Sequence, residues 1–342
     1  MGGFRKVLAL ALTYIGAIIG AGFASGQELF HFFVRYGYLG LLGTVVAAIG
    51  FVVLAAVVFK VGVNRGISSY HQFLSFVLGK TFGKVADLCF SAYLFMGLVI
   101  MLAGCEAVFL ESFGFAKGFG IILSSMILIG ALLWKEGGVL ALNTFLVPLI
   151  IFGALLIAVL SWGKTAPIPI TIETGPGFAW LGSAIIYVSY NLIGGLVILL
   201  RFTQSHRKEG FLGIVLGGLV LGVLAGLLSL ALLNNYSTIA EREVPLLVLA
   251  ENKNMFLGRA YGIVLWFAML TTAVVDGAAL ALRTGNTRLP YVLVILLLIL
   301  VSALLANIGF SVLIKTIYPF FGYLGMALLV LILLRKGFSR QY

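Results

Sequence analysis

The chain has 342 residues, 62% of them hydrophobic and only 10% charged, with a mean hydropathy of +1.18 and a formal net charge of +11. That balance excludes a soluble globular fold and points to a polytopic membrane protein. The positive charge is gathered at the ends of apolar segments, as membrane topology requires, which argues against a nucleic-acid partner.

Ten apolar segments are long enough to cross a bilayer: 6–34, 38–60, 84–110, 118–134, 139–162, 178–203, 210–233, 256–282, 289–306 and 310–334. The first lacks a small-residue cleavage pattern and carries a polar break, so it reads as a mature span rather than a signal peptide. Within it, Gly16, Gly20, Gly22 and Gly26 weaken helix, and polar Ser25, Gln27 and Glu28 follow at once. Opened backbone in lipid is tolerated only where protein buries it or where it lines a wet cavity. The stretch therefore reads as a broken helix whose freed backbone groups hold a ligand. The alternative is that the glycines only let a neighbouring helix approach.

The connection 66–83 carries Tyr70, Phe73, Phe76 and Val77 among polar residues, and predicts a short surface helix or a loosely ordered loop. Cys89 and Cys105 lie 16 positions apart in one predicted helix, roughly 24 Å along its axis, too far to bond to each other. The seventh segment has glycines at 213, 217 or 218, 222 and 226, a stripe that permits close helix packing. The connection 234–254, with Pro245 suited to a first helical turn, predicts either a lid or a cap over the bundle.

Five segments precede the loop 163–177 and five follow it. The chain thus divides into 1–162 and 163–342, two halves of opposite topology, as in the inverted repeats of secondary transporters. Symmetry then predicts an interruption in the sixth segment too, where Tyr187, Ser189, Tyr190 and Asn191 precede Gly194 and Gly195. An ordinary helix with interhelix hydroxyl bonds is the other reading. In the eighth segment Asp276 lies four residues after Thr272, on the same helix face. An acid within a span suggests an ion route or a proton relay. Asp276 could instead pair with Arg5 or Lys6, and Glu28 and Glu106 either face the cavity or pair with Arg35 or Lys315.

Basic residues favour the face bearing both termini by roughly two to one, which places those termini in the cytoplasm of a cell with this protein in its inner (plasma) membrane.

At these residues the chain resembles the LeuT-fold transporters of the amino acid–polyamine–organocation superfamily. Gly16–Phe23 looks like that family's first-helix break and Phe267–Thr272 like its eighth-helix sodium motif. Gly20-Ala-Gly-Phe-Ala-Ser-Gly-Gln-Glu28 and the short length are similar to the YkvI group of bacterial membrane proteins. The resemblance implies an all-α fold of ten transmembrane helices in a 5+5 inverted repeat with helices 1 and 6 interrupted. It implies a sodium site from carbonyls of Gly16, Ile19 and Ala268 and hydroxyls of Thr271 and Thr272. A second sodium site is not expected, because Phe23 stands where the family has an amide. Substrate would meet the amides of Gly20, Ala21 and Gly22, with Ser25, Glu106, Tyr187, Ser189, Tyr190 and Asn191 around it. An amino acid or other small carboxylate suits such amides.

The expected function is sodium-coupled secondary transport by alternating access. Proton coupling through Asp276, Glu106 or Glu28 is the alternative, and a channel a remote one. No HExxH, zinc-spaced Cys/His cluster or G-x-S-x-G elbow occurs, so no enzyme activity is expected. No cofactor beyond sodium, no nucleic acid and no obligatory protein partner is expected; the partners are a small-molecule substrate and the lipid bilayer.

Overall fold

The computed structural model describes residues 3–134, 138–162, 177–203, 207–283 and 290–338. Residues 163–176 of the predicted central loop, with the boundary between the halves, lie outside the described residues, as do Lys135, Lys164, His206, Arg288 and Arg340.

The first apolar segment is interrupted. It forms α1 (Gly3–Ile18), stops, and resumes as two short helices, α2 (Ala21–Ser25) and α3 (Gln27–Phe32). Gly20 is extended (φ −102°, ψ −175°), and Gly26 takes φ 80°, a left-handed conformation that disfavours any side chain. Ser25 fixes this second bend: its hydroxyl donates to the Gly22 carbonyl at 2.7 Å and accepts from the Gln27 amide at 3.1 Å. A 3-10 turn at Val34–Tyr36 leads into α4 (Gly37–Arg65).

α5 (Tyr70–Phe113) contains a sharp corner at Gly79 (φ 80°, ψ 171°), so its first turns, residues 70–78, form the predicted surface helix. Ser69 caps it, accepting from the Gln72 amide at 3.3 Å. Phe73, Leu74 and Val77 are buried while His71 and Gln72 are exposed, the split expected of an amphipathic helix. α6 (Phe119–Trp134) and α7 (Gly138–Leu160) follow.

α8 (Ala179–Phe202) is one unbroken helix, which corrects the expectation of an interrupted sixth span. Asn191 stays helical with its side-chain amide donating to the Tyr187 carbonyl at 3.0 Å. A helical glycine costs only about 1 kcal/mol relative to alanine, and packing offsets that here. Bare Gly194 and Gly195 admit neighbours: an added Cβ would stand 2.8 Å from the Tyr93 hydroxyl and 3.2 Å from Ile18 Cδ1.

α9 (Arg207–Asn234) carries the glycine stripe, and the stripe packs α1 and α4. A Cβ at Gly217 would lie 2.8 Å from Tyr14 Cδ1, one at Gly218 2.8 Å from Val52 Cγ2, and one at Gly222 would overlap Ala48. α10 (Tyr236–Ile239) and α11 (Pro245–Lys253) follow, Pro245 opening α11 as predicted. Residues Pro245 to Ala250 are all buried, and Leu246 rests against Gly26, so α11 is seated on the interrupted helix as a plug. α12 (Met255–Arg283), α13 (Tyr291–Ala306) and α14 (Phe310–Phe338) complete the bundle.

Six helices are long and apolar enough to cross a membrane, with three shorter apolar helices beside them among the described residues. Large apolar side chains face outward, for example Leu39, Leu42, Val45, Ile49 and Val53 along α4, whereas Ser25, Gln27, Glu28 and Asn191 are buried. Water would not tolerate an apolar surface of that extent, and lipid would. The chain is a polytopic membrane protein. Cys89 and Cys105 are free thiols.

Candidate functional site

The interruption of α1 leaves backbone groups without partners. Among the described backbone hydrogen bonds, the Ile19 amide still reaches the Ile15 carbonyl, and the next link along the chain is from the Ala24 amide to the Gly20 carbonyl. The carbonyls of Gly16, Ala17, Ile18 and Ile19 and the amides of Gly20, Ala21, Gly22 and Phe23 take part in none of these bonds. Residues 16 to 22 line a cavity of about 590 Å³. Unpaired backbone groups there can hold an ion or a polar ligand without first breaking a helix.

The cavity is walled by α5, α7, α8, α12 and α14. Of the residues expected to meet substrate, Gly20, Ala21, Gly22, Tyr190 and Asn191 line it; Glu28 and Asp276 line it too. The Tyr190 hydroxyl donates to the Glu28 carboxylate, and the Glu28 carboxylate also lies where a Cβ on Gly22 would be. Neither Arg35 nor Lys315 is bonded to Glu28: the Arg35 guanidinium meets the Tyr36 hydroxyl at 2.5 Å and His31 Nδ1 at 3.3 Å.

Four expected substrate contacts are elsewhere. Ser25 is spent on the Gly26 bend. Tyr187 is 1% exposed and packs edge-on to Phe33 (4.8 Å) and Phe51 (5.8 Å). The Ser189 hydroxyl donates to the Ile185 carbonyl at 2.7 Å. Glu106 accepts from the amides of Gly118 and Ile121, the latter at 3.0 Å, and so satisfies the unpaired donors at the start of α6.

The expected sodium ligands divide across the cavity. Gly16 and Ile19 line one side, Ala268 and Thr272 another. Both threonine hydroxyls donate to the Ala268 carbonyl, Thr271 at 3.0 Å and Thr272 at 2.9 Å, but Thr271 does not line the cavity. α1 packs mainly along α9 and α8, and α12 along α5, α11 and α7; the first span meets α12 through α2, where the Tyr261 hydroxyl donates to the Ala24 carbonyl at 2.6 Å, while the α1 portion stands apart from α12.

The cavity runs toward the end of the bundle where α8 and α12 finish, at Arg201 and Arg283. Arg283 is held by Asp87 at 3.0 Å, by the Ser91 hydroxyl at 2.8 Å and by Tyr70. Tyr70, on the surface helix, also donates to Asp87. Its burial, and next its bond to Asp87, push its hydroxyl up to about 12, so it remains a donor at neutral pH. The opposite end is shut. Glu111 accepts from the amides of Glu243 (2.9 Å) and Val244 (3.0 Å), Glu243 accepts from the Ser311 amide (2.7 Å), and Gln27 donates to the Ser311 hydroxyl (2.5 Å).

Tyr93, Tyr318, Arg201 and Arg283 line the cavity without having been singled out from sequence as site residues. Tyr93 and Tyr318 carry the same signal as Tyr190, a hydroxyl inside an apolar span. The two arginines belong to the basic residues whose bias sets the orientation.

No family model matches the chain. It is 29% identical over 340 residues to the uncharacterised protein YyaD of Bacillus subtilis (strain 168), covering 98% of this chain and 99% of that one. It is 25% identical over 342 residues to YkvI of the same organism, an uncharacterised membrane protein, covering 97% and 96%. The likeness to YkvI therefore extends far beyond the Gly20–Glu28 motif. Among solved structures, the Eremococcus coleocola manganese transporter bound to an aromatic bis-isothiourea compound superposes with a TM-score of 0.63 at 13% identity, covering 96% of this chain and 78% of that one. A mutant of the same transporter gives 0.61 at 15%. The chain shares that transporter's fold.

Proposed function

We propose that the chain is a secondary active transporter of a small solute, an amino acid or another small carboxylate, coupled to sodium and working by alternating access. One observation carries this: unpaired carbonyls and amides at the α1 interruption face a cavity that is open toward one end of the bundle and shut at the other. A fold shared with a transporter supports it.

The arrangement of helices supports a 5+5 inverted repeat of the LeuT type. Counting α1–α3 as one span, the first, second, third and fourth spans pack on the sixth, seventh, eighth and ninth: α1 on α8, α4 on α9, α5 on α12 and α6 on α13. Equivalent pairs differ in one instructive case. α14 packs along α8, whereas α1 packs little against α7; near Gly16 an added Cβ would lie 3.7 Å from Val147 Cγ1. Such asymmetry is what opening on one side alone requires. With the basic-residue bias, the open side is cytoplasmic and both termini lie inside, in the inner membrane.

Sodium would be held by the freed carbonyls of Gly16 on α1 and Ile19 in the interruption, and by Ala268, Thr271 and Thr272 on α12. Oxygen donors of this kind suit a hard cation. Because the two walls stand apart, binding would favour a state in which they close, which is the differential affinity that coupling needs. Among the described residues, no three His, Cys, Asp or Glu side chains are grouped to hold a metal.

Proton coupling is the second reading, favoured by Glu28 and Asp276 in the cavity wall. Glu106 drops out of it, being committed to α6. Uptake of radiolabelled amino acids into proteoliposomes separates the cases. Saturable uptake driven by a sodium gradient is expected. Uptake driven by a pH gradient and indifferent to sodium would establish the second reading, and single-channel currents would refute a carrier.

A further inference from the structure

Among the described residues, Asp276 has no counter-charge. It lines the cavity from α12, and no described residue makes a hydrogen bond or ion pair with it. Its carboxylate lies against the bare backbone of α5, where a Cβ on Gly97 would collide with it. The other cavity residues on α7 and α14 near this level, Leu146, Val147 and Ile317, are apolar. Arg283 is two turns further along α12, about 10 Å of axial rise, and is already engaged by Asp87, Ser91 and Tyr70.

Two hydroxyls beside the same cavity are likewise unspent. Tyr318 is only 9% exposed and lines the cavity, yet its hydroxyl has no bond to any described residue; the same holds for Tyr93. Buried tyrosine hydroxyls ordinarily find a partner. The Tyr318 ring stacks on Tyr190 at 4.6 Å, and Tyr190 bonds Glu28, so an aromatic wall continues from Tyr318 to the interruption. An uncompensated carboxylate in a membrane protein is costly, and here it faces space rather than a partner.

We propose that Asp276, Tyr93 and Tyr318 form a subsite for a protonated primary amine on the transported solute, making that solute a cationic amino acid or a similar small amine. An ammonium supplies three donors for the carboxylate and the hydroxyl oxygens, and it is attracted to aromatic faces. The cavity's size, about 590 Å³, is that of an organic molecule rather than a bare ion. At the other end the freed amides of Gly20–Gly22 donate to the carboxylate and Glu28 stands by for the α-ammonium. This rests on reading the cavity as a solute site.

The test is ligand binding to the purified full chain in detergent, read by thermal unfolding and calorimetry without any transport step. The probes are lysine, norleucine, 1,5-diaminopentane, hexanoate and sodium chloride alone. Lysine and 1,5-diaminopentane are expected to bind, lysine at least tenfold more tightly than norleucine or hexanoate. Asp276→Asn should weaken lysine at least tenfold, and Tyr318→Phe, which leaves packing intact, by a few-fold. Failure of both amines to bind, equal binding of norleucine, or lysine binding unchanged in both variants would overturn the subsite. So would stabilisation by sodium alone that depends on Asp276. Amine binding without uptake would count against the carrier and leave the subsite standing; uptake of a solute with no amine would do the reverse.

Discussion

Glu28 on α3 accepts a hydrogen bond from the Tyr190 hydroxyl on α8, joining the interrupted first span to the sixth across 162 residues of sequence. Both residues line the cavity. Removing the donor leaves a buried carboxylate unsatisfied, which costs about 1–3 kcal/mol. Tyr190→Phe is therefore expected to lower the melting temperature by several degrees and to change ligand affinity. Glu28→Gln combined with Tyr190→Phe should cost less than the sum of the two, since both variants act on one bond. Additive losses in calorimetry would show that the contact carries no weight.

Glu106 should matter for stability alone. It satisfies the amides of Gly118 and Ile121 at the start of α6 and does not line the cavity. Glu106→Ala is expected to cost about 1–2 kcal/mol, the usual loss of a helix cap, with ligand affinity unchanged once the protein is folded. A shift in affinity larger than threefold would return Glu106 to the binding site.

The two threonines of α12 should separate. Thr272 lines the cavity and Thr271 does not, although both bond the Ala268 carbonyl. Thr272→Ala is expected to raise the sodium concentration for half-maximal uptake tenfold or more, and Thr271→Ala by less. Equal effects, or none, measured in sodium titrations of uptake would contradict the assignment of sodium to this wall.

Arg283 ties the surface helix to the end of α12 through Tyr70, Asp87 and Ser91. Charge-assisted bonds of this type contribute roughly 1–2 kcal/mol after exposure is allowed for. Arg283→Gln is expected to speed amide hydrogen exchange in residues 70–78 about tenfold without altering exchange in α9. Unchanged protection there would mean that Phe73, Leu74 and Val77 hold the helix by burial alone.

The interruption of α1 was legible because four glycines and a polar triplet fall within one apolar segment, and tertiary packing rarely overrides so concentrated a signal. The matching interruption in α8 was a symmetry argument, and there Asn191, Gly194 and Gly195 cost little enough for packing against Tyr93 and Ile18 to keep the helix whole. Glu106 misled for a different reason. Whether an acid on one helix faces a cavity or caps the next depends on the turn at residues 114–118, which periodicity does not encode. Tyr93 and Tyr318 were passed over because each stands alone, whereas Tyr187 and Tyr190 form a visible cluster. Of that cluster the cavity uses Tyr190, and Tyr187 is core.

The central claim is that sodium draws α1 and α12 together and so closes the cavity. It is tested most directly by the distance between spin labels at Leu8 and Leu282, both exposed, in a chain with Cys89 and Cys105 replaced by alanine. Adding sodium chloride is expected to shift the distance distribution to shorter values, potassium chloride to leave it in place, and Thr272→Ala to blunt the sodium effect. A distribution that is the same in sodium and potassium, or that lengthens in sodium, would contradict it.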